Sequence, residues 1–247
     1  MNDHQLAAWL ARIAGHLLPP LREGPLSGEA LGCVGDLTAN AFITSALERL
    51  RPGDALLSEE SPDDCRRLEH GRVWIIDPLD GTREYANGRS DWAVHVALAV
   101  DGRPEVGAVA VPMLDRVYDS GTVTPPSPRE GRPVMVVSRT RAPDEASALA
   151  EHLGAEMRLM GSAGAKAMAV VSGEADIYYH SGGQHEWDNC APVAVALTAG
   201  LHASRSDGSP ILYNCENTHV PDLLIARREL AAPALEFLSA LAARTAD

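Results

Sequence analysis

The sequence predicts a layered protein that combines α+β and α/β texture, on three observations. Residues 73–118 hold short apolar runs separated by turn residues, the pattern of an antiparallel meander. After residue 133, short apolar runs alternate with helical periods, the pattern of an α/β layer. Between the two, residues 121–133 (GTVTPPSPREGRP) are rich in Pro and Gly and mark a surface loop. The expected organisation is an N-terminal half over 1–130 and a C-terminal half over 131–247.

The elements follow in chain order. Residues 4–18 read as a helix ended by Pro19-Pro20, and Asp36–Leu50 as a second amphipathic helix stopped by Pro52-Gly53. Ala55–Leu57 is a short strand running into Ser58-Glu59-Glu60, and Val73–Ile76 a buried strand ending at Asp77-Pro78. The meander is Trp92–Val100, a turn at Asp101-Gly102, Glu105–Val111, a break at Pro112, then Asp115–Tyr118. In the second half, strands are expected at Val134–Val137, Arg158–Met160, Ala175–Tyr179, Leu201–Ala203 and Leu223–Ala226. Helices are expected at Pro143–Leu153, Ala165–Val171, Asn189–Ala199 and Pro233–Ala243.

Composition narrows the function. The 247 residues carry 21 Lys+Arg against 34 Asp+Glu, a net charge of −13, with 45% hydrophobic residues. Such a balance argues against a nucleic-acid polymer as partner, because that binding relies on cations neutralising phosphates. It leaves room for a small phosphorylated ligand, since a bound cation inverts the local charge. The first twenty residues lack a basic cluster ahead of their apolar stretch, and no apolar run reaches the roughly 18–20 residues of a membrane span. Cys33, Cys65, Cys190 and Cys215 are scattered, outside any C-x-x-C or zinc spacing. The expectation is a cytoplasmic protein with reduced thiols and no membrane partner.

Candidate chemistry sits at strand ends. Asp77-Pro78-Leu79-Asp80-Gly81-Thr82 follows a buried strand, and its two carboxylates suit a Mg²⁺ site beside free N–H groups for phosphate. The same spacing also describes an Asp turn that caps a helix. Glu59-Glu60 reads as a ligand pair or a solvated pair; Asp188 and Asp36 read as site residues or as helix N-caps. Gly161-Ser162-Ala163-Gly164 is an anion-binding turn or a tight strand–helix connection, with Lys166 as a candidate anion contact. Gln184-His185-Glu186 reads as a loop, and His95 as a structural histidine within an apolar strand. The chain contains no P-loop, so ATP-driven chemistry has no support.

Together W-I-I-D-P-L-D-G-T at 74–82, S-E-E at 58–60, and W-D at 187–188 followed by Ala191-Pro192 resemble the inositol monophosphatase superfamily. The resemblance covers essentially the whole chain. It implies the αβαβα sandwich of the sugar-phosphatase type and a Mg²⁺-dependent phosphomonoesterase using two or three ions. Within the superfamily, Arg83-Glu84-Tyr85 is similar to the bacterial CysQ-type branch that acts on 3′-phosphoadenosine 5′-phosphate. Carried over, Glu59, Asp77, Asp80, Asp188 and the Leu79 carbonyl hold metal. Gly81 and Thr82 present N–H groups to the phosphate. Asp36 and Thr82, with Glu59, serve catalysis by activating water. Glu59, Leu79, Asp80, Gly81, Thr82, Ser162, Lys166, Gln184, Asp188 and Arg205 contact substrate. A homodimer is also implied. The segment Gly28–Gly35 departs from the family pattern in having no Lys, which bears on the third metal and on lithium sensitivity. The implied reaction is hydrolysis of 3′-phosphoadenosine 5′-phosphate to AMP and phosphate, recycling a by-product of sulfate assimilation. Inositol 1-phosphate or fructose 1,6-bisphosphate are the alternative substrates, and an inactive metal- or phosphometabolite-binding protein is the alternative of another class.

Overall fold

The computed structural model describes residues 1–245. Helices α1 (Asp3–Leu21) and α2 (Gly28–Leu50) form an outer layer on a first sheet. That sheet runs β1 (Ala55–Ser58), β2 (Arg72–Asp80), β3 (Ala93–Val100), β4 (Arg103–Val111) and β5 (Arg116–Asp119), with only β1 and β2 parallel. A short helix, α3 (Thr82–Ala86), follows β2. The middle layer is α5 (Ala163–Val171) and α6 (Glu186–Thr198). The second sheet is ordered β7 (Glu156–Met160), β6 (Val134–Ser138), β8 (Ile177–His185), β10 (His219–Ala226) and β9 (His202–Ser204), parallel through β7-β6-β8 and antiparallel beyond. Helices α4 (Ala146–His152) and α7 (Arg228–Thr245) cover its far face. The result is the expected αβαβα sandwich.

Two-residue periodicity builds these layers. In β2, Trp74 and Ile76 face α1 and α2, while Val73 and Ile75 face the middle layer. In β6, Val134 and Val136 face that same layer, and Met135 and Val137 face α4 and α7. Both sheets are covered on both faces, so their central strands are almost continuously apolar. Every residue of α5 is buried, consistent with a helix between two sheets. The middle cluster draws on both sheets and fuses the two halves of the chain into one core.

Several boundaries differ from expectation. Helix α1 continues through Pro19-Pro20, whose fixed φ is itself helical, and ends where Arg22 N–H bonds the Pro19 carbonyl at 3.1 Å. Helix α2 starts at Gly28, so Asp36 lies inside a helix and does not open one. Its glycines are there for close approach: a Cβ on Gly32 would stand 2.7 Å from Thr82 Cγ2, and one on Gly35 3.0 Å from Leu79 and Tyr85. Helix α2 is long and apolar enough to cross a membrane by length and composition alone. One face of it packs against α1 and the first sheet, burying Leu31, Ala39, Ile43 and Leu47. Strand β8 runs to His185, so Gln184 and His185 lie in a strand and Glu186 begins α6; the expected loop is absent. All four cysteines are free thiols.

Candidate active site

Residues three apart on a regular strand point to opposite faces. Between Asp77 and Asp80 the register shifts: Asp77 pairs with His95, and Asp80 pairs with Ala93. The extra residue on β2 is a bulge, and it turns both carboxylates toward the middle layer. Pro78 suits this place because a bulge leaves an N–H unpaired. Gly81 then takes φ +89°, which turns the chain into α3. The D-x-x-D unit is thus a bulge that aims two acids one way, and neither Asp caps α3.

The opposite wall comes from α6. Asp188 occupies the third position of that helix rather than its cap, accepting the His185 N–H at 2.6 Å. One carboxylate oxygen each from Asp77, Asp80 and Asp188 lies within 4.8 Å of the other two. Glu59, just beyond β1, joins them in lining a cleft of about 600 Å³, along with Leu79, Gly81, Thr82, Ser162, Lys166 and Gln184. Asp36 approaches from α2, where Thr82 Oγ1 lies 3.4 Å from its Oδ1 and donates at 3.1 Å to the Leu79 carbonyl.

The acids of the site sit in unlike environments. Asp80 accepts hydrogen bonds from Ser162 Oγ, Ala163 N–H at 3.0 Å and Gly164 N–H at 2.6 Å. Burial alone would raise its pKa, but the neighbouring His95 and Lys166 charges and these donors hold it well below the usual carboxylate range. Asp77, 1% exposed, accepts the Leu79 N–H at 3.1 Å, and His95 Nδ1 stands 3.9 Å from its Oδ2. Burial and the charges of Glu59, Asp80 and Asp188 push it well above the ordinary value. Glu59 is solvent-accessible at the cleft yet crowded by protein, which pushes it up to about 8, with the Asp188 and Asp36 charges adding. Burial, followed by the Glu60 charge, lifts Asp36 to about 7. Acids raised by burial and then by one another's charges make a site short of positive charge. Carboxylates with a nearby backbone carbonyl are hard oxygen donors, and they fit a hard divalent cation.

Other expected residues are placed as follows. Ser162, at φ +48°, accepts the Ala165 N–H at 3.0 Å while donating to Asp80. Lys166 is buried, not exposed, with Nζ donating to the Gly161 and Ser162 carbonyls. Gln184 donates to Tyr178 Oη at 3.0 Å and accepts from Asn189. Arg205 is not in the cleft: its guanidinium is spent on Asp222, at 3.0 Å and 2.8 Å, across β9 and β10. His95, read from the sequence as a structural histidine and left out of the site, lies against it. It is fully buried, with Nδ1 3.1 Å from the Trp187 carbonyl and Nε2 3.2 Å from Asp80 Oδ2. Burial pushes this imidazole down, but the Asp80 charge outweighs it and holds the pKa above the usual value. A polar residue at an inward position of an apolar strand was its only signal.

Known proteins are similar to this chain in sequence and fold. A 3′-phosphoadenosine 5′-phosphate phosphatase of Mycobacterium leprae is 50% identical over 94% of this chain and 91% of its own length. The 3′(2′),5′-bisphosphate nucleotidase CysQ of Escherichia coli K12 is 29% identical over 83% of this chain and 91% of its own. The crystal structure of CysQ from Bacteroides thetaiotaomicron superposes with a TM-score of 0.82, covering 92% of this chain and 97% of that one at 24% identity. The model of the inositol monophosphatase family matches residues 33–246, which hold every acid of the cleft. The chain therefore belongs to the inositol monophosphatase family and is a phosphatase of that family.

Proposed function

We propose that this phosphatase hydrolyses 3′-phosphoadenosine 5′-phosphate to AMP and phosphate, with Mg²⁺ as its ion. The observation that carries the substrate is the 50% identity, over nearly the whole chain, to a phosphatase of that specificity. Glu59, Asp77, Asp80, Asp188 and the Leu79 carbonyl would hold the ions. When bound, Mg²⁺ neutralises phosphoryl oxygens and lowers the pKa of water, so that no covalent phosphoenzyme is required. The protein's own part is positioning. Gly81 and Thr82 line the cleft where the phosphate would sit. Asp36, at about 7, accepts a proton near neutral pH, and the Thr82 hydroxyl between it and the Leu79 carbonyl orients that transfer. Asp80, held ionised by its donors, keeps its charge through the cycle.

An inactive binding protein would have dropped an acid of this set, and all are present. Inositol 1-phosphate and fructose 1,6-bisphosphate would use the same acids, so specificity is decided by assay. Phosphate release is measured with Mg²⁺ for those two, 3′-phosphoadenosine 5′-phosphate and AMP, with and without lithium. The expected kcat/KM for the bisphosphonucleotide is at least about tenfold above the sugars. Preference for a sugar phosphate overturns the substrate and leaves the metal site standing. The resemblance also supports a homodimer and a cytoplasmic role in sulfate assimilation; sedimentation and cell fractionation test these.

A further inference from the structure

With Arg205 paired to Asp222 outside the cleft, a second phosphate on the substrate would have to be met by another cation. The candidates sort by their partners. Lys166 is tied to two carbonyls, and Arg139 is held by Glu84 and Asp91. Arg83 and Arg141 line the cleft and make no ion pair among the described residues. They come from different walls. Arg83 directly follows the Gly81-Thr82 turn beside the acids. Arg141 comes from the second sheet, at the end of the Ser138–Arg141 segment beyond β6, and its charge acts on Tyr178 and His180 of β8.

His180 makes this second wall unusual. It is 4% exposed and lines the cleft. Its Nε2 lies 3.1 Å from the Gly183 carbonyl, an acceptor, so Nε2 carries the hydrogen and Nδ1 presents a lone pair. That lone pair has no partner in the protein. Burial, then the Lys166 and Arg141 charges, push the imidazole down, so the ring stays a neutral acceptor. The wall therefore offers one uncommitted guanidinium and one unfilled buried acceptor.

We propose that Arg141 is the specificity-determining residue that binds the second phosphate of a bisphosphorylated substrate, while His180 Nδ1 accepts from a hydroxyl or amino group of the same leaving group. A second phosphate would enter a cleft that already holds Glu59, Asp77, Asp80, Asp188 and Glu84. A metal cluster answers the first phosphate; the second must be answered by protein, and a guanidinium matches it with two parallel N–H donors. This inference rests on the nucleotidase reading and deepens it.

The test compares kcat/KM for 3′-phosphoadenosine 5′-phosphate and for adenosine 3′-monophosphate, with Mg²⁺, in the wild type, Arg141→Gln and Arg141→Lys. Arg141 is exposed, so neither substitution removes core packing. The bisphosphate-to-monophosphate ratio is expected to fall at least about tenfold in Arg141→Gln, with Arg141→Lys retaining part of it. A ratio unchanged in Arg141→Gln overturns the inference, whether both activities fall or neither does. A wild type that hydrolyses neither nucleotide overturns the substrate reading instead. The inference is then decided by the same ratio for fructose 1,6-bisphosphate over fructose 1-phosphate, measured in parallel.

Discussion

His95 Nε2 lies 3.2 Å from Asp80 Oδ2 with both side chains buried, and Nδ1 of the same ring lies 3.1 Å from the Trp187 carbonyl. One imidazole on β3 thereby joins the β2 bulge to the first turn of α6, the two elements that carry Asp77, Asp80 and Asp188. Gly164 leaves the room for it: a Cβ there would stand 2.1 Å from Nε2.

Replacing that ring removes the tie without removing an acid. His95→Leu is expected to lower metal affinity or turnover about 10–100-fold, the usual cost of losing a group that orients a ligand. The measurement is the Mg²⁺ concentration for half-maximal activity. An unchanged value with unchanged kcat would make His95 a packing residue only.

Asp80→Asn exchanges an acceptor for a donor in front of the Ser162, Ala163 and Gly164 donors. Mg²⁺-dependent turnover is expected to vanish while the fold persists. The facing donors would reduce stability by about 1–3 kcal/mol. Circular dichroism and thermal melting accompany the assay, and full activity in this variant would sink the metal-site assignment.

Asp36 at about 7, Glu59 at about 8 and the raised Asp77 shape the pH dependence of the metal-free protein. In the unfolded chain these acids release their protons near pH 4, so between pH 4 and 8 the folded state holds more protons. Their contribution is complete below the unfolded value and is lost as pH rises through the folded ones. Chelated protein is therefore expected to melt lower at pH 8.5 than at pH 5.5, and Mg²⁺ should raise Tm more at the higher pH. Equal Mg²⁺ gains at both would contradict this account.

Arg205→Ala is expected to leave KM unchanged and to lower stability. The side chain is 28% exposed, and its two-pronged pair with Asp222 is worth about 1–2 kcal/mol. A raised KM at constant Tm would return Arg205 to the substrate.

The meander, the alternation after residue 133 and the Asp77–Thr82 motif were legible in local periodicity or in one contiguous stretch. The five layers and the grouping of Asp36, Glu59 and Asp188 with that motif were implied only by the family resemblance. Val73 to Ile76 reads as buried on both faces without any knowledge of its neighbours. What depended on distant partners was not legible. From the sequence, α2 is expected to begin only at Asp36, and the glycines of Gly28–Gly35 make sense once Thr82, Tyr85 and Leu79 come close enough to require them. Arg205 stands as a substrate contact until Asp222 arrives from the next strand, and His95 as a structural histidine until the bulge turns Asp80 onto its ring. Sequence spacing named the acids that could do the chemistry and left each with a capping or solvated alternative; the resemblance chose between them. Only the packing of one sheet against α5 and α6 decided which charges face the cleft and which are consumed, because ion pairing depends on distance in space and not on distance along the chain.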